Sequence, residues 1–458
     1  MTASRISSTL FREYDIRGVV DQDMTDEAVH LIGMGLGTLV RNAGGSAVVV
    51  GRDCRLSGGR FAEMVITGLN STGVDVVDLG VVPTPLTYFA ASTLPVDGLC
   101  MITGSHNPPQ YNGLKVAVGK DTLHGAGIQE LRRVADSGKF VLGKGATRVH
   151  DVVTPYKEYV RQNLRFGARK LKVVLDAGNG TGGVVAVPLF RALGVDVVPL
   201  FIEMDGRFPN HHPDPTVEEN LELLRRKVLE VKADVGIAYD GDADRVGAVD
   251  EKGGVLWGDQ MMILFSRALL EEHPGATIVG EVKCSMNLFD DIARRGGRPV
   301  MWKAGHSLIK AKMKEEGALL AGEMSGHIFF AHRWFGFDDG IYSSARLLEL
   351  LSRTDAPLSS LLSDLPRTFA SPEVHVECPE DKKFEVVRRA QEWFAARYEA
   401  VTIDGVRVTF PDGWGLVRAS NTQPLLVLRF EAASERRLEE IAALVGGKVE
   451  ELKKEVGA

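Results

Sequence analysis

The sequence predicts an α/β protein of three similar mixed or parallel α/β domains followed by a smaller C-terminal α+β domain. Three observations predict it. A strand, turn, helix, strand order is written three times before the last quarter of the chain. The five residues Gly73-Val-Asp-Val-Val recur unchanged as Gly194-Val-Asp-Val-Val. Beyond a stretch rich in proline and serine, 354–372, the pattern changes to a helix, short strands and a long polar helix.

In the first copy, the apolar run 46–51 reads as a buried strand. Residues 59–72 read as a helix, because Phe61, Met64, Val65 and Leu69 recur at helical spacing. The next strand is 73–80. In the second copy, 172–177 is a strand, Gly178-Asn-Gly-Thr-Gly-Gly183 a tight turn, then a helix runs to 193 and a strand follows at 194–200. The third copy is strand 277–282, helix 286–295 closed by Gly296 and Gly297, and strand 299–302. Each copy returns through a glycine at the helix C-terminus, where the chain turns left-handed. A strand laid under a helix, repeated, is the grammar of parallel α/β layers. A repeat of roughly 100 residues is too long for a solenoid, so the copies read as domains. The last part carries Pro357, Pro366 and Pro372 in a linker, a helix at 383–398, and strands at 405–410, 414–418 and 425–431. Pro411-Asp-Gly413 and Ser420-Asn-Thr-Gln-Pro424 are its hairpin turns, and 434–455 its closing helix. The expected domains are 1–153, 154–253, 254–366 and 367–458. The last is expected to move, since a linker and a limited interface permit it.

At 458 residues the chain exceeds a single core, and 44% hydrophobic with 25% charged residues is the composition of an ordinary globular protein. A net charge of -7 argues against nucleic acid and against an anionic membrane as partners. Cys54, Cys100, Cys284 and Cys378 form no CxxC pair, which excludes a zinc knuckle and fits a reducing cytoplasm. The first ten residues lack a signal-peptide core, and the apolar stretch 31–40 is too short to span a bilayer. The expected location is cytoplasmic.

Four loops carry candidate chemistry. In Thr103-Gly-Ser-His-Asn-Pro-Pro-Gln-Tyr-Asn-Gly-Leu-Lys115, a hydroxyl (Ser105) stands beside an imidazole (His106) on a loop stiffened by Pro108 and Pro109. In Tyr239-Asp-Gly-Asp-Ala-Asp-Arg245, the carboxylates Asp240, Asp242 and Asp244 repel one another unless a cation neutralises them. Such oxygen ligands suit Mg²⁺. An EF-hand is excluded, because Arg245 occupies the position where that loop needs glycine, and the flanks read as strands. Gly322-Glu-Met-Ser-Gly-His327 offers Glu323, Ser325 and His327 to sugar hydroxyls. Arg418-Ala-Ser-Asn-Thr422 offers an Arg fork, two hydroxyls and turn amides to a phosphate. Taken singly, each loop also reads as an ordinary polar turn. Tyr14, Arg17, Lys283 and His306 are further polar groups beside glycines or strand ends.

Together these segments resemble the α-D-phosphohexomutase family over essentially the whole chain. Thr-Gly-Ser-His-Asn-Pro-Pro is similar to its phosphoserine loop, Asp-Gly-Asp-Ala-Asp-Arg to its metal loop, Gly-Glu-Met-Ser-Gly-His to its sugar loop and Arg-Ala-Ser-Asn-Thr to its phosphate loop. The resemblance implies a heart-shaped four-domain architecture and interconversion of hexose 1-phosphate and hexose 6-phosphate. It implies that Ser105 is carried as a phosphoserine and that Mg²⁺ is bound by Ser105, Asp240, Asp242 and Asp244. It further implies a hexose 1,6-bisphosphate that serves as intermediate and activator. Arg245 adds positive charge, and Lys115 is the expected general base, with His106 and His306 as the other groups able to move the proton. Glu323 and Ser325 would read hydroxyls, and Arg418, Ser420, Asn421 and Thr422 the distal phosphate. Tyr14, Arg17, Lys283, His306 and His327 would complete the pocket. Met324 places the chain with the phosphomannomutase/phosphoglucomutase branch, since phosphoglucosamine mutases usually carry Gln there. The alternatives are a phosphoglucosamine mutase, or a metal-dependent sugar phosphatase using the same phosphoserine. The expected partners are small sugar phosphates, and the expected assembly is a monomer or weak dimer.

Overall fold

The computed structural model describes residues 6–420 and 423–458. Its first three sheets share one wiring. In the first, strands Asp75–Val81, Ala47–Arg52 and Gly98–Ile102 lie parallel in that spatial order, and Tyr111–Val118 then runs antiparallel to the last. The second repeats it with Asp196–Leu200, Lys172–Asp176 and Val235–Tyr239, followed by antiparallel Val246–Asp250. The third does so with Arg298–Trp302, Thr277–Glu281 and Leu320–Gly322, followed by antiparallel Ile328–Phe330. In every unit the link between the third parallel strand and its antiparallel neighbour is a loop at the carboxyl end of a buried strand. Those loops contain the Ser105, Asp240–Asp244 and Glu323–His327 motifs. Carboxyl ends of strands in open α/β sheets are where ligands bind.

The strands follow from composition. Val48, Val49 and Val50, and again Val173, Val174 and Leu175, are buried on both faces of their sheets, as continuous apolar runs in parallel sheets should be. The expected boundaries agree with the observed ones to within two or three residues. The glycine after each repeated helix has the same role in all three units: Gly73, Gly194 and Gly296 have φ of 79°, 82° and 79°. The first three units also share one apolar core, which includes Phe89 and Tyr156, Phe190, and Trp334 stacked on Tyr342 at 4.1 Å.

The fourth unit is an antiparallel sheet of Phe369–Ala370 and Val374–Glu377, both against Leu425–Ala432, then Gly413–Ala419, Val406–Phe410 and Glu399–Val401. Helices Lys383–Ala395 and Glu435–Val456 cover one face and close a separate core. Ser434 caps the second helix by accepting from the Arg437 amide. Trp414 and Leu416 pack on Val282 of the third unit. Arg407, fully buried, lies 3.7 Å from the Trp414 ring centroid and donates to the Val282 and Cys284 carbonyls at 2.5 and 2.7 Å. The segment read as a linker is fastened too. Leu358 is buried in the shared core, and Ser359 donates through its amide and hydroxyl to Glu251.

Candidate active site

The serine loop is held from beneath. Ser105 has φ of 48°, a left-handed conformation that costs a non-glycine residue energy and persists only where surroundings enforce it. Its amide donates to Thr103 Oγ1 at 2.8 Å. Its Oγ donates to Asp240 Oδ2 at 2.7 Å, and His106 Nδ1 lies 3.1 Å from Ser105 Oγ. Gly241 allows this approach between two sheets, since a Cβ there would stand 2.6 Å from the Ser105 carbonyl oxygen. Arg55, absent from the sequence reading, lies under the loop and donates to the carbonyls of Ser105, Asn107, Pro108 and Tyr111.

Asp240, Asp242 and Asp244 are fully buried, with one carboxylate oxygen from each within 4.8 Å of the others. Asp242 Oδ2 accepts from Thr84 Oγ1 at 2.6 Å, Thr103 Oγ1 at 3.0 Å and Lys115 Nζ at 3.1 Å. Lys115 also pairs with Asp244. Burial, then the charges of Asp242 and Asp244, push the Asp240 carboxyl well above its usual range. Burial works on Asp242 in the same direction, but Lys115 and its hydrogen bonds prevail and hold it low. Burial would lower the Lys115 ammonium, yet the two aspartates raise it well above normal. Among the described residues, the buried Asp242 Oδ1 and Asp244 Oδ1 have no hydrogen-bond partner. Oxygens left over in a dry carboxylate cluster fit a hard divalent cation.

The third loop closes the cleft. Arg245 Nε donates to His327 Nε2 at 2.9 Å, and His327 Nδ1 stands 3.0 Å from Asp338 Oδ2. Asp338 also faces Lys310 at 3.2 Å and His306 Nδ1 at 3.8 Å. Burial and the Arg245 charge keep the His106 imidazole well below its usual value, and burial with Lys310 does the same to His306. Tyr14 sets its ring against His306 at 5.3 Å. Arg17 donates to Asn107 Oδ1 at 2.9 Å and Asp15 Oδ2 at 2.6 Å. Tyr14, Arg17, Ser105, His106, Lys115, Arg245, His306 and His327, all singled out from the sequence, line one cavity of about 160 Å³.

The remaining expected residues border this cavity or the fourth unit. Glu323 accepts from the Gly305 amide at 2.5 Å, and Ser325 is half-buried on the same loop. Glu281 accepts from the Met324 amide at 3.0 Å, and burial pushes its carboxyl up to about 7 against the pull of Lys283. Lys283 pairs with Glu373 at 2.8 Å and with Glu281 at 3.6 Å. Arg418 donates to Asp404 at 3.0 Å, and the Ser420 carbonyl accepts from Lys383 at 2.7 Å. Asn421 and Thr422 lie outside the described residues.

Three sheets, each delivering one loop to a shared basic cleft beside a carboxylate cluster, define a sugar-phosphate mutase architecture. Family models bear this out. Those for phosphoglucomutase/phosphomannomutase alpha/beta/alpha domains I, II and III match residues 8–136, 154–254 and 257–369, and that for the C-terminal domain matches 373–446. A phosphomannomutase/phosphoglucomutase of Pseudomonas aeruginosa is 48% identical over 442 residues, covering 96% of this chain and 95% of its own. A phosphoglucomutase of Neisseria gonorrhoeae is 44% identical over 441 residues, with 95% of both chains covered. The crystal structure of a phosphoglucomutase/phosphomannomutase family protein from Burkholderia thailandensis superposes with a TM-score of 0.93 at 44% identity, covering 98% of both chains. The chain belongs to the phosphoglucomutase/phosphomannomutase family, a family of mutases.

Proposed function

We propose that the protein interconverts the 1-phosphates and 6-phosphates of mannose and glucose, with Ser105 as a phosphoserine and a hexose 1,6-bisphosphate as intermediate. The observation that carries this reading is the 2.7 Å contact of Ser105 Oγ with Asp240, at the floor of a cavity shared with two arginines, a lysine and three histidines. Phosphoryl transfer asks a protein mainly for positioning and charge neutralisation. Asp240, Asp242 and Asp244, with Ser105, would hold Mg²⁺, which when bound supplies neutralisation at the phosphoryl oxygens.

The chain's own residues do the rest. A sugar hydroxyl attacks phosphorus, its O–P bond forms, the Ser105 O–P bond breaks, and the hydroxyl proton passes by way of a base to the departing Ser105 Oγ. Arg245, buttressed by His327, and Arg17 face the charge that builds on the phosphoryl oxygens. Lys115 is an ammonium while Asp242 and Asp244 flank it, so its expected service as base requires that ion pair to be relinquished. His106 and His306, held neutral, can accept a proton without such a change. Glu323 and Ser325 would read hydroxyls, while Arg418, Ser420, Asn421, Thr422 and Lys283 would take the distal phosphate. The intermediate then turns over and returns its other phosphate to Ser105.

The test is a coupled assay on mannose 1-phosphate, glucose 1-phosphate and glucosamine 1-phosphate, with a hexose 1,6-bisphosphate and Mg²⁺ present. The expected products are the 6-phosphates of mannose and glucose, with Ser105→Ala inactive. Release of free phosphate in place of glucose 6-phosphate identifies a phosphatase instead, and a preference for glucosamine 1-phosphate overturns the sugar assignment.

A further inference from the structure

We infer that Arg55 is a positioning residue for the reacting serine: it sets the left-handed turn that aims Ser105 Oγ at the carboxylate cluster. This rests on Ser105 being the phosphoryl carrier. A guanidinium has five N–H donors in a rigid planar fork, and all five are directed at acceptors here. Nη2 donates to Ser105 O at 2.8 Å and Asn107 O at 2.5 Å, and Nη1 to Pro108 O at 2.7 Å and Tyr111 O at 2.9 Å. Nε donates to Asp53 Oδ2 at 3.2 Å. With its donors committed and its side chain fully buried, Arg55 has none to offer a substrate. Its action is through the backbone.

The geometry shows what that action is. Four carbonyls of one loop converge on one cation, so the chain must curl around it, and the curl contains the φ of 48° at Ser105. Asp53 fixes the other side of the same turn. Its Oδ1 accepts from the Arg55 amide at 2.9 Å, and its Oδ2 from the Gly104 amide at 3.2 Å. The residue before the serine and the serine itself are thus tied to one buried ion pair. Glycine is required at position 104 for the same reason, because a Cβ there would meet Arg55 Nε at 2.5 Å. A lysine cannot substitute: its single ammonium is a point donor and cannot span four carbonyls.

Displacing a reacting group by about 1 Å costs on the order of 100-fold in rate. The test is steady-state kinetics of Arg55→Lys and Asp53→Asn on glucose 1-phosphate with glucose 1,6-bisphosphate, beside Ser105→Ala. A companion measurement is the time course of Ser105 phosphorylation by the bisphosphate, read by intact mass. Expected for R55K are a kcat roughly 100-fold lower and an essentially unchanged KM. Phosphorylation should be slow but reach the parent stoichiometry. A mere loss of folded protein would lower the stoichiometry instead. D53N should fall in the same direction by about 10-fold or more, since it loses the charge and turns one of the two accepting oxygens into a donor. If R55K turns over within about threefold of the parent while S105A is dead, the inference is overturned and the serine reading stands. If S105A is active, the serine reading itself falls. Should R55K not fold, D53N decides, and an unchanged kcat and phosphorylation rate there overturn the inference.

Discussion

Ser105 Oγ and Asp240 Oδ2 stand 2.7 Å apart although they lie on loops of different units, 135 positions apart in sequence. The contact places the proposed phosphoryl carrier on the edge of the carboxylate cluster, and Asp240 is the member of that cluster whose charge burial and its neighbours oppose most directly. An Asp240→Asn variant therefore separates stability from catalysis. A carboxyl raised in the folded state contributes stability below its unfolded pKa and loses it as pH rises. In a chelator, the variant should match the parent near pH 4 and exceed it increasingly towards neutral pH, while turnover with Mg²⁺ is lost. Thermal unfolding midpoints at several pH values check the first part, and the coupled assay the second. A variant less stable than the parent at pH 7 would contradict this account.

Asp338 faces Lys310, His306 and His327 with a carboxylate that Lys310 above all holds well below its usual range despite burial. Removing one partner of a buried ion pair costs about 3–5 kcal/mol. Asp338→Ala should lose stability of that order by urea unfolding, whereas Asp338→Asn, which keeps the oxygen facing His327, should lose less. Equal losses would mean that charge, not orientation of the ring, is what Asp338 supplies.

Arg407, laid on the Trp414 ring of its own unit, anchors the fourth unit on the third through two carbonyls. Leaving those buried acceptors unsatisfied costs about 1–3 kcal/mol each. For Arg407→Ala, calorimetry should resolve a separate low-temperature transition of the fourth unit ahead of the shared core. A single transition shifted as a whole would show that the unit is held by other contacts.

Glu373 and Lys283 form a second tie between the same two units. The Lys283 charge, against the opposing effect of burial, brings the Glu373 carboxyl down to about 2. A depressed carboxyl contributes stability above its unfolded pKa, and that contribution is lost as pH falls through the folded value. The tie should thus weaken between about pH 4.5 and pH 2. Glu373→Gln should remove that part of the acid dependence. It should also lower KM for sugar phosphates, because the Lys283 ammonium then keeps only its longer contact with Glu281 and can turn to a phosphate. An unchanged KM would exclude competition between Glu373 and substrate for Lys283.

The repeated units were legible in the sequence because parallel strands buried on both faces are written as apolar runs, and Gly73, Gly194 and Gly296 mark each return. The four motifs were legible because chemistry concentrates unusual residues in short loops. The supports were not. Arg55, Asp53, Asp338, Glu281 and Glu373 are single charged residues in unremarkable contexts, and apart from near contacts such as Asp53–Arg55, Glu281–Lys283 and Asp338–His327 their partners lie tens of positions away. The one local hint for Arg55 is that Arg52-Asp-Cys-Arg55 directly follows the apolar run 46–51 that reads as a buried strand. The rigidity expected from Pro108 and Pro109 has a second source in Arg55, which grips carbonyls that any residue would carry. Replacing both prolines with alanine should lower turnover less than R55K does, by the same assay.

The apolar core that runs unbroken through the first three units constrains timing as well as shape. The Asp240 and Glu323 loops are rooted in that interior through Tyr239, Val246 and Ile328, and the serine loop is tied to them by the Ser105–Asp240 contact, so the three present one face together. The fourth unit has its own interior and is held by ties that can be counted and cut. In the proposed cycle, the expected slow step is release and recapture of the bisphosphate by the fourth unit. The rate at which the sugar changes ends should track solvent viscosity rather than the strength of the breaking O–P bond.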